Sequence, residues 1–160
     1  MWDIPTLIWK FRAHRPKFVA KKELAKGIPS ISYNLRHGGS VAIDRKNPKE
    51  SILKIKAFAK LVHENCFAVC IFPEGTRSRD GKIKPFKVSG VKAIMDEIPE
   101  ALVVPVAIKN TGKIDNNGKF LKNIGVHVEF MQLEPRRLNL SNLENELIAI
   151  NTEIKSVLES

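Results

Sequence analysis

The sequence predicts an α/β domain over residues 1–160, a mixed, largely parallel sheet flanked by helices. Three observations predict it. The runs FAVCIF and LVVPVAI are strand-sized and nearly continuous in apolar character, as strands buried on both faces are, and GSVAIDR carries a shorter β-prone centre, VAI. Segments with helical spacing and recognisable start signals separate them, the order that builds a parallel sheet. At 160 residues, 43% apolar and 28% charged, the chain is long enough for one domain with a real core.

The elements follow in order. The opening MWDIPTLIWKFR crowds Trp2, Ile4, Leu7, Ile8, Trp9 and Phe11 around a single acid, Asp3, where a chain end is usually polar. Leu7, Ile8 and Phe11 are expected to pack on the core; the competing reading puts Trp9, Lys10, Phe11 and Arg12 at a lipid headgroup interface. GSVAIDR is the first expected strand. Asn47-Pro48-Lys49-Glu50 then combines a capping residue, a proline at the first helical position and a Glu placed to close a capping box. Ile52, Ile55, Ala59 and Val62 continue at helical spacing, and the helix is expected to end near Asn65. FAVCIF, bounded by Pro73, is a buried strand, with Cys66, Ala68 and Cys70 on one face. The two cysteines are expected to be small buried residues, because a metal site needs more Cys or His than this region has. A short helix is expected from Ser89, its possible cap, to about Ile98. LVVPVAI is a further strand, and IGVHVEFMQL alternates as a half-exposed one does. Ser141-Asn142-Leu143-Glu144 reads as a second capping box, opening a helix with Leu143, Leu147, Ile150, Ile154 and Val157 on one face.

No apolar stretch approaches the ~18 residues that span a bilayer, and the opening lacks the pattern of a signal peptide. The net charge is +10, and it is clustered. From Ile4 to Ile43 there are eight Lys or Arg against Glu23 alone, and from Arg77 to Lys92 six against Asp80. Such clustering points to an anionic partner: nucleic acid, a phosphorylated small molecule or an anionic membrane. Nucleic-acid binding is disfavoured, because stacking wants aromatic residues interleaved with the basic ones.

FPEGTRSRDGKIKPF carries the strongest chemical signal. It delivers Glu74 and Arg77 at the carboxyl end of a strand, where open α/β sheets bind ligands. Gly75 permits a tight turn there, and Arg77, Arg79, Lys82 and Lys84 offer donors suited to phosphate. Spacing alone also admits a plain basic surface loop.

FPEGTRS resembles the third sequence block of the lysophospholipid and glycerol-phosphate acyltransferase family. GGSVAIDR resembles its second block, VVPVAI its fourth, and KKEL followed by Ile28-Pro29 the segment after its first. The blocks stand in the family's order, and with Asp3 they span residues 3 to 108. The family's first block is a His, four residues, then Asp, and Asp3-Ile4-Pro5 resembles its tail. The matching His falls three positions before Met1, so the chain is expected to begin past it. Five residues after His14, His37, His63 and His127 stand Val19, Ala42, Ala68 and Gln132, so no second copy of the block exists.

The resemblance implies transfer of a fatty acyl group from a thioester, on acyl carrier protein or coenzyme A, to 1-acyl-sn-glycerol 3-phosphate, giving phosphatidic acid. The His would act as general base and the Asp would orient it. Asp3 is therefore the expected catalytic acid. Lys21 and Arg77 resemble the phosphate-holding residues, Glu74 and Gly75 the acceptor-site pair, Arg45 the arginine of the second block, and Thr76 completes the motif. No cofactor or metal is implied. The expected partners are lysophosphatidic acid, the thioester donor and an anionic membrane surface at the cytoplasmic face of the cell membrane. Lacking its His, the chain as it stands is expected to be inactive; the rival reading is a non-catalytic remnant that binds phosphorylated lipids.

Overall fold

The computed structural model describes residues 3–25, 38–75, 83–114 and 125–159. Their elements, in chain order, are α1 (Asp3–Lys10), β1 (Lys17–Lys21), β2 (Val41–Ile43), α2 (Pro48–Glu64), β3 (Val69–Cys70), α3 (Val88–Met95), β4 (Val106–Lys109), α4 (Thr111–Ile114), β5 (Glu129–Gln132) and α5 (Leu143–Glu159). They fall into two compact groups. One comprises Leu7–Pro73 and Lys87–Ala101; the other Met1–Thr6, Glu74–Phe86 and Leu102–Ser160. No described helix is long and apolar enough to cross a membrane.

The first group is built on a three-stranded parallel sheet in the order β2-β1-β3. Val19 pairs with Val41 and Lys21 with Ile43, while Phe18 pairs with Cys70. Helices α2 and α3 bury their apolar faces together, with Val19, Ile55, Phe58, Ala59, Val62, Ala93, Ile94 and Ile98 forming the core. Here the expected mixed, largely parallel α/β fold is present. The central strand β1 is one that the sequence pattern did not announce. Its apolar residues Phe18, Val19 and Ala20 are all buried, yet lysines close the run at both ends.

Local chemistry explains the boundaries. Helix α2 starts as expected: Asn47 Oδ1 accepts from the Glu50 N–H at 3.3 Å, and Pro48 holds the first position. The box closes differently, however. Glu50 Oε2 accepts from Asn47 Nδ2 at 3.0 Å, because the Asn47 N–H already donates to the Asp44 carbonyl. The helix ends at Glu64, and Cys66 follows in the left-handed region at φ 53°. The Phe67 N–H donates to the Val62 carbonyl and the Cys66 N–H to that of His63, the paired bonds of a Schellman motif. Cys66 is thus a helix stop, exposed and outside the strand, not a buried face-mate of Cys70. The strand itself shrinks to Val69–Cys70. Helix α3 begins at Val88, one residue before the expected cap Ser89; Lys87 takes the cap position without a side-chain bond.

In the second group, β4 and β5 pair antiparallel, with Ile108 opposite Phe130. Pro105 has no N–H to offer and splits LVVPVAI. Val103 makes a separate bridge to Arg136, and the Pro105 carbonyl accepts from Leu133. Helix α5 packs on β4 through Leu143, Leu147, Ile150 and Ile154, with Val157 only half-buried. Its entry is a 3₁₀ turn, Leu140–Asn142, capped by Asn139 and not by Ser141; Asn139 Oδ1 accepts from the Ser141 N–H at 3.0 Å. The Arg136 guanidinium fixes α5 to the bridge through both Glu153 oxygens, at 2.7 and 3.0 Å.

Candidate active site

Parallel strands deliver the candidate residues at one edge of the sheet. Lys21 ends β1 and Arg45 lies two residues beyond β2, so both stand at the carboxyl edge, in the first group. Lys21 Nζ pairs with Glu23 at 3.0 Å, and hydrogen bonding from that lysine is the main force holding the Glu23 carboxyl below its ordinary value. Partial burial pulls the Arg45 guanidinium down, opposed by the charge of Glu23. Glu23 is therefore the shared electrostatic neighbour of the two cations, a residue that sequence reasoning did not assign. Asp44 shapes the turn that carries Arg45. Its side chain accepts from the Lys46 N–H at 2.9 Å, and its carbonyl accepts from Ser51 Oγ at 2.6 Å.

Glu74 and Gly75 belong to the second group. Gly75 has φ 74°, the left-handed backbone that the turn after β3 demands. The half-buried Glu74 carboxylate accepts from the Lys84 N–H at 3.0 Å. The Lys84 carbonyl in turn accepts from Asn151 Nδ2 at 3.0 Å, and Asn151, on the apolar face of α5, is 6% exposed. A polar residue between Ile150 and Ile154 was the only sequence signal for this anchor. Thr76 and Arg77 lie outside the described residues.

Asp3 occupies the first turn of α1, and its Oδ1 is buried with no hydrogen-bond partner among the described residues. A buried carboxylate oxygen left unmet costs stability, so such an atom asks for an explanation. Three of the four histidines are described, and all are exposed: His14, His63 and His127. His63 Nδ1 lies 3.7 Å from Glu100 Oε1, and the His127 carbonyl accepts from Asn110. Burial raises the Cys70 thiol to about 11, which keeps it protonated and non-nucleophilic at neutral pH.

A family model described as Acyltransferase matches residues 1–109. The chain is 33% identical over 117 residues to a 1-acyl-sn-glycerol-3-phosphate acyltransferase of Limnanthes douglasii, covering 71% of this chain and 40% of that protein. It is 37% identical over 101 residues to the Helicobacter pylori protein of the same name, covering 62% and 41%. The Saccharomyces cerevisiae protein of that name is 33% identical over 98 residues, covering 59% and 31%. The chain thus spans about two-fifths or less of the length of these relatives. No solved structure matches it. The match over residues 1–109 takes in β1, β2, β3 and the EGTR motif together, and by it this chain belongs to the acyltransferase family.

Proposed function

We propose that this chain is the acyl-transfer portion of an enzyme that moves a fatty acyl group from a thioester, carried by coenzyme A or acyl carrier protein, to 1-acyl-sn-glycerol 3-phosphate, giving phosphatidic acid. The observation that carries the reading is the order of the family's blocks along the chain, together with relatives named as 1-acyl-sn-glycerol-3-phosphate acyltransferases. In this reading Arg77 and Lys21 hold the acceptor phosphate. Glu74, Gly75 and Thr76 shape the acceptor side, Arg45 adds positive charge, and Asp3 orients the base. Attack by a glycerol hydroxyl needs a general base, and positioning the phosphate brings that hydroxyl to the thioester. The unmet Oδ1 of Asp3 supports its part, because an acid that orients an imidazole needs a free acceptor. The partner surface is an anionic membrane, for which the clustered +10 charge argues.

A second reading, anion binding without turnover, is separated from the first by the general base, since none of the four histidines within residues 1–160 precedes an acid at the block's spacing. Residues 1–160 alone are accordingly expected to bind glycerol 3-phosphate and not to turn over. An N-terminal extension placing a His five residues before Asp3 should bring thioester-dependent phosphatidate formation. Arg77→Ala should weaken acceptor binding by about one to two powers of ten, since a charged hydrogen bond is worth ~1.5–3 kcal/mol. Acceptor binding that ignores Arg77 would overturn the site. An extended chain that binds but never transfers would leave the second reading standing.

A further inference from the structure

Helix α2 has an outer face that a core-packed helix does not need. Its inner face is Ser51, Ile55, Phe58, Ala59 and Val62, all buried. On the outside, Leu53, Ala57 and Leu61 stand four residues apart and so form one exposed ridge. Leu53 is 69% and Leu61 46% exposed, two of the six large hydrophobic side chains exposed among the described residues. At the start of the helix Pro48, Ile52 and Leu53, with Lys49, line an open apolar depression of about 410 Å³.

The rim is basic. Lys49, Lys54, Lys56 and Lys60 flank the ridge, and Arg45 and Lys46 precede the helix. Lys54 pairs with Glu50, and Lys56 and Lys60 with Asp96 and Glu97, but Lys49 has no ion-pair partner among the described residues. The field reaches back to the sheet edge: the Glu50 carboxyl is held down chiefly by Lys54, and Lys22 beyond β1 adds to it.

We propose that the outer face of α2 docks on an anionic bilayer surface, the Leu53–Ala57–Leu61 ridge entering the headgroup layer and the flanking lysines meeting lipid phosphates. This rests on the lipid-acceptor reading above and names the surface it left open. A shallow apolar line rimmed by long cationic side chains is the pattern of an interfacial helix, because lysine stems lie along apolar surface while their ammonium groups reach the phosphates. Position favours this face over the exposed Trp9 of α1. Helix α2 begins at the carboxyl edge of the sheet, directly after Arg45, whereas Trp9 sits at the end of α1 away from Asp3, under the Arg12 guanidinium.

The test is co-sedimentation of the chain with vesicles of phosphatidylcholine, alone or mixed with phosphatidylglycerol, at low salt. The wild type should prefer the anionic vesicles. The Leu53→Ser/Leu61→Ser variant should bind them roughly tenfold more weakly, and Trp9→Ser should bind within about twofold of wild type. Ala57→Asp, a charge set in the middle of the ridge, gives a second variant; each is first shown by circular dichroism to melt as the wild type does. Wild-type binding that survives both ridge variants overturns the assignment, and loss in Trp9→Ser moves the docking surface to α1. A wild type with no preference for anionic vesicles overturns the membrane partner itself, while glycerol 3-phosphate binding would still stand on its own measurement.

Discussion

The position of Glu74 depends on Asn151. Its Nδ2 donates at 3.0 Å to the carbonyl of Lys84, whose own N–H donates at 3.0 Å to the Glu74 carboxylate. Asn151→Leu keeps the branched shape of the side chain and removes its amide, while leucine's better helix propensity offsets a few tenths of a kcal/mol of the loss. The lost bond costs ~0.5–1.5 kcal/mol, rising toward ~3 kcal/mol where the buried carbonyl finds no replacement. For a chain of this size each kcal/mol lowers the melting temperature by roughly 2–4 °C. The local signature is sharper: the Lys84 amide should exchange faster with solvent, because the backbone on which it sits has lost its tie to α5. Thermal melting and amide exchange by mass spectrometry read both. If the leucine variant melts with the wild type and Lys84 exchange is unchanged, the bond does not hold Glu74, and its burial in α5 is mere packing.

Three further outcomes are expected. At neutral pH a thiol reagent should label one cysteine, the exposed Cys66, and Cys66→Ser should abolish that labelling; because burial keeps Cys70 protonated, its contribution to stability holds below 9.0 and fades as pH rises through about 11, a loss that Cys70→Ala should remove in alkaline melts. Lys56 above all, then Lys92, hold the Asp96 carboxyl below its ordinary 3.8, so the bridge between α2 and α3 stabilises above that pH and is lost as pH falls below it; Asp96→Asn should flatten this part of the acid melting profile. Glu23→Gln frees Lys21 and should tighten glycerol 3-phosphate binding up to about fivefold by calorimetry, and an unchanged or weaker affinity would mean that Lys21 does not meet the phosphate.

What was legible in the sequence is what short-range chemistry decides. The start of α2 was readable because Asn47, Pro48 and Glu50 act within one turn, and the backbone at Glu74-Gly75 because a glycine can take the positive φ found there. The central strand β1 escaped because three buried residues between lysines carry no period; only pairing on both sides, with β2 and β3, makes Phe18-Val19-Ala20 a strand. Cys66 misled for a related reason. Its place in CFAVC fits a strand's alternation, yet the helix before it needs a left-handed stop, and the backbone bonds to Val62 and His63 outweigh the pattern. The Asn151 anchor acts across 67 residues, a distance over which no local pattern speaks.

The same distinction bears on Lys21. Read by resemblance it is a phosphate-holding residue; read by the structure it is half of an ion pair with Glu23 at 3.0 Å. The two roles differ less than they look. Both side chains are largely open to solvent, 43% and 62% exposed, and such pairs contribute little because water competes for each charge. A phosphate dianion brings twice the charge of the carboxylate and several acceptor oxygens, and a charged hydrogen bond to it is worth ~1.5–3 kcal/mol. If Lys21 meets the acceptor phosphate as proposed, the exchange of partner runs toward phosphate. Glu23 is in that case a competitor that the anion displaces at the carboxyl end of β1, which is why Glu23→Gln is expected to tighten binding.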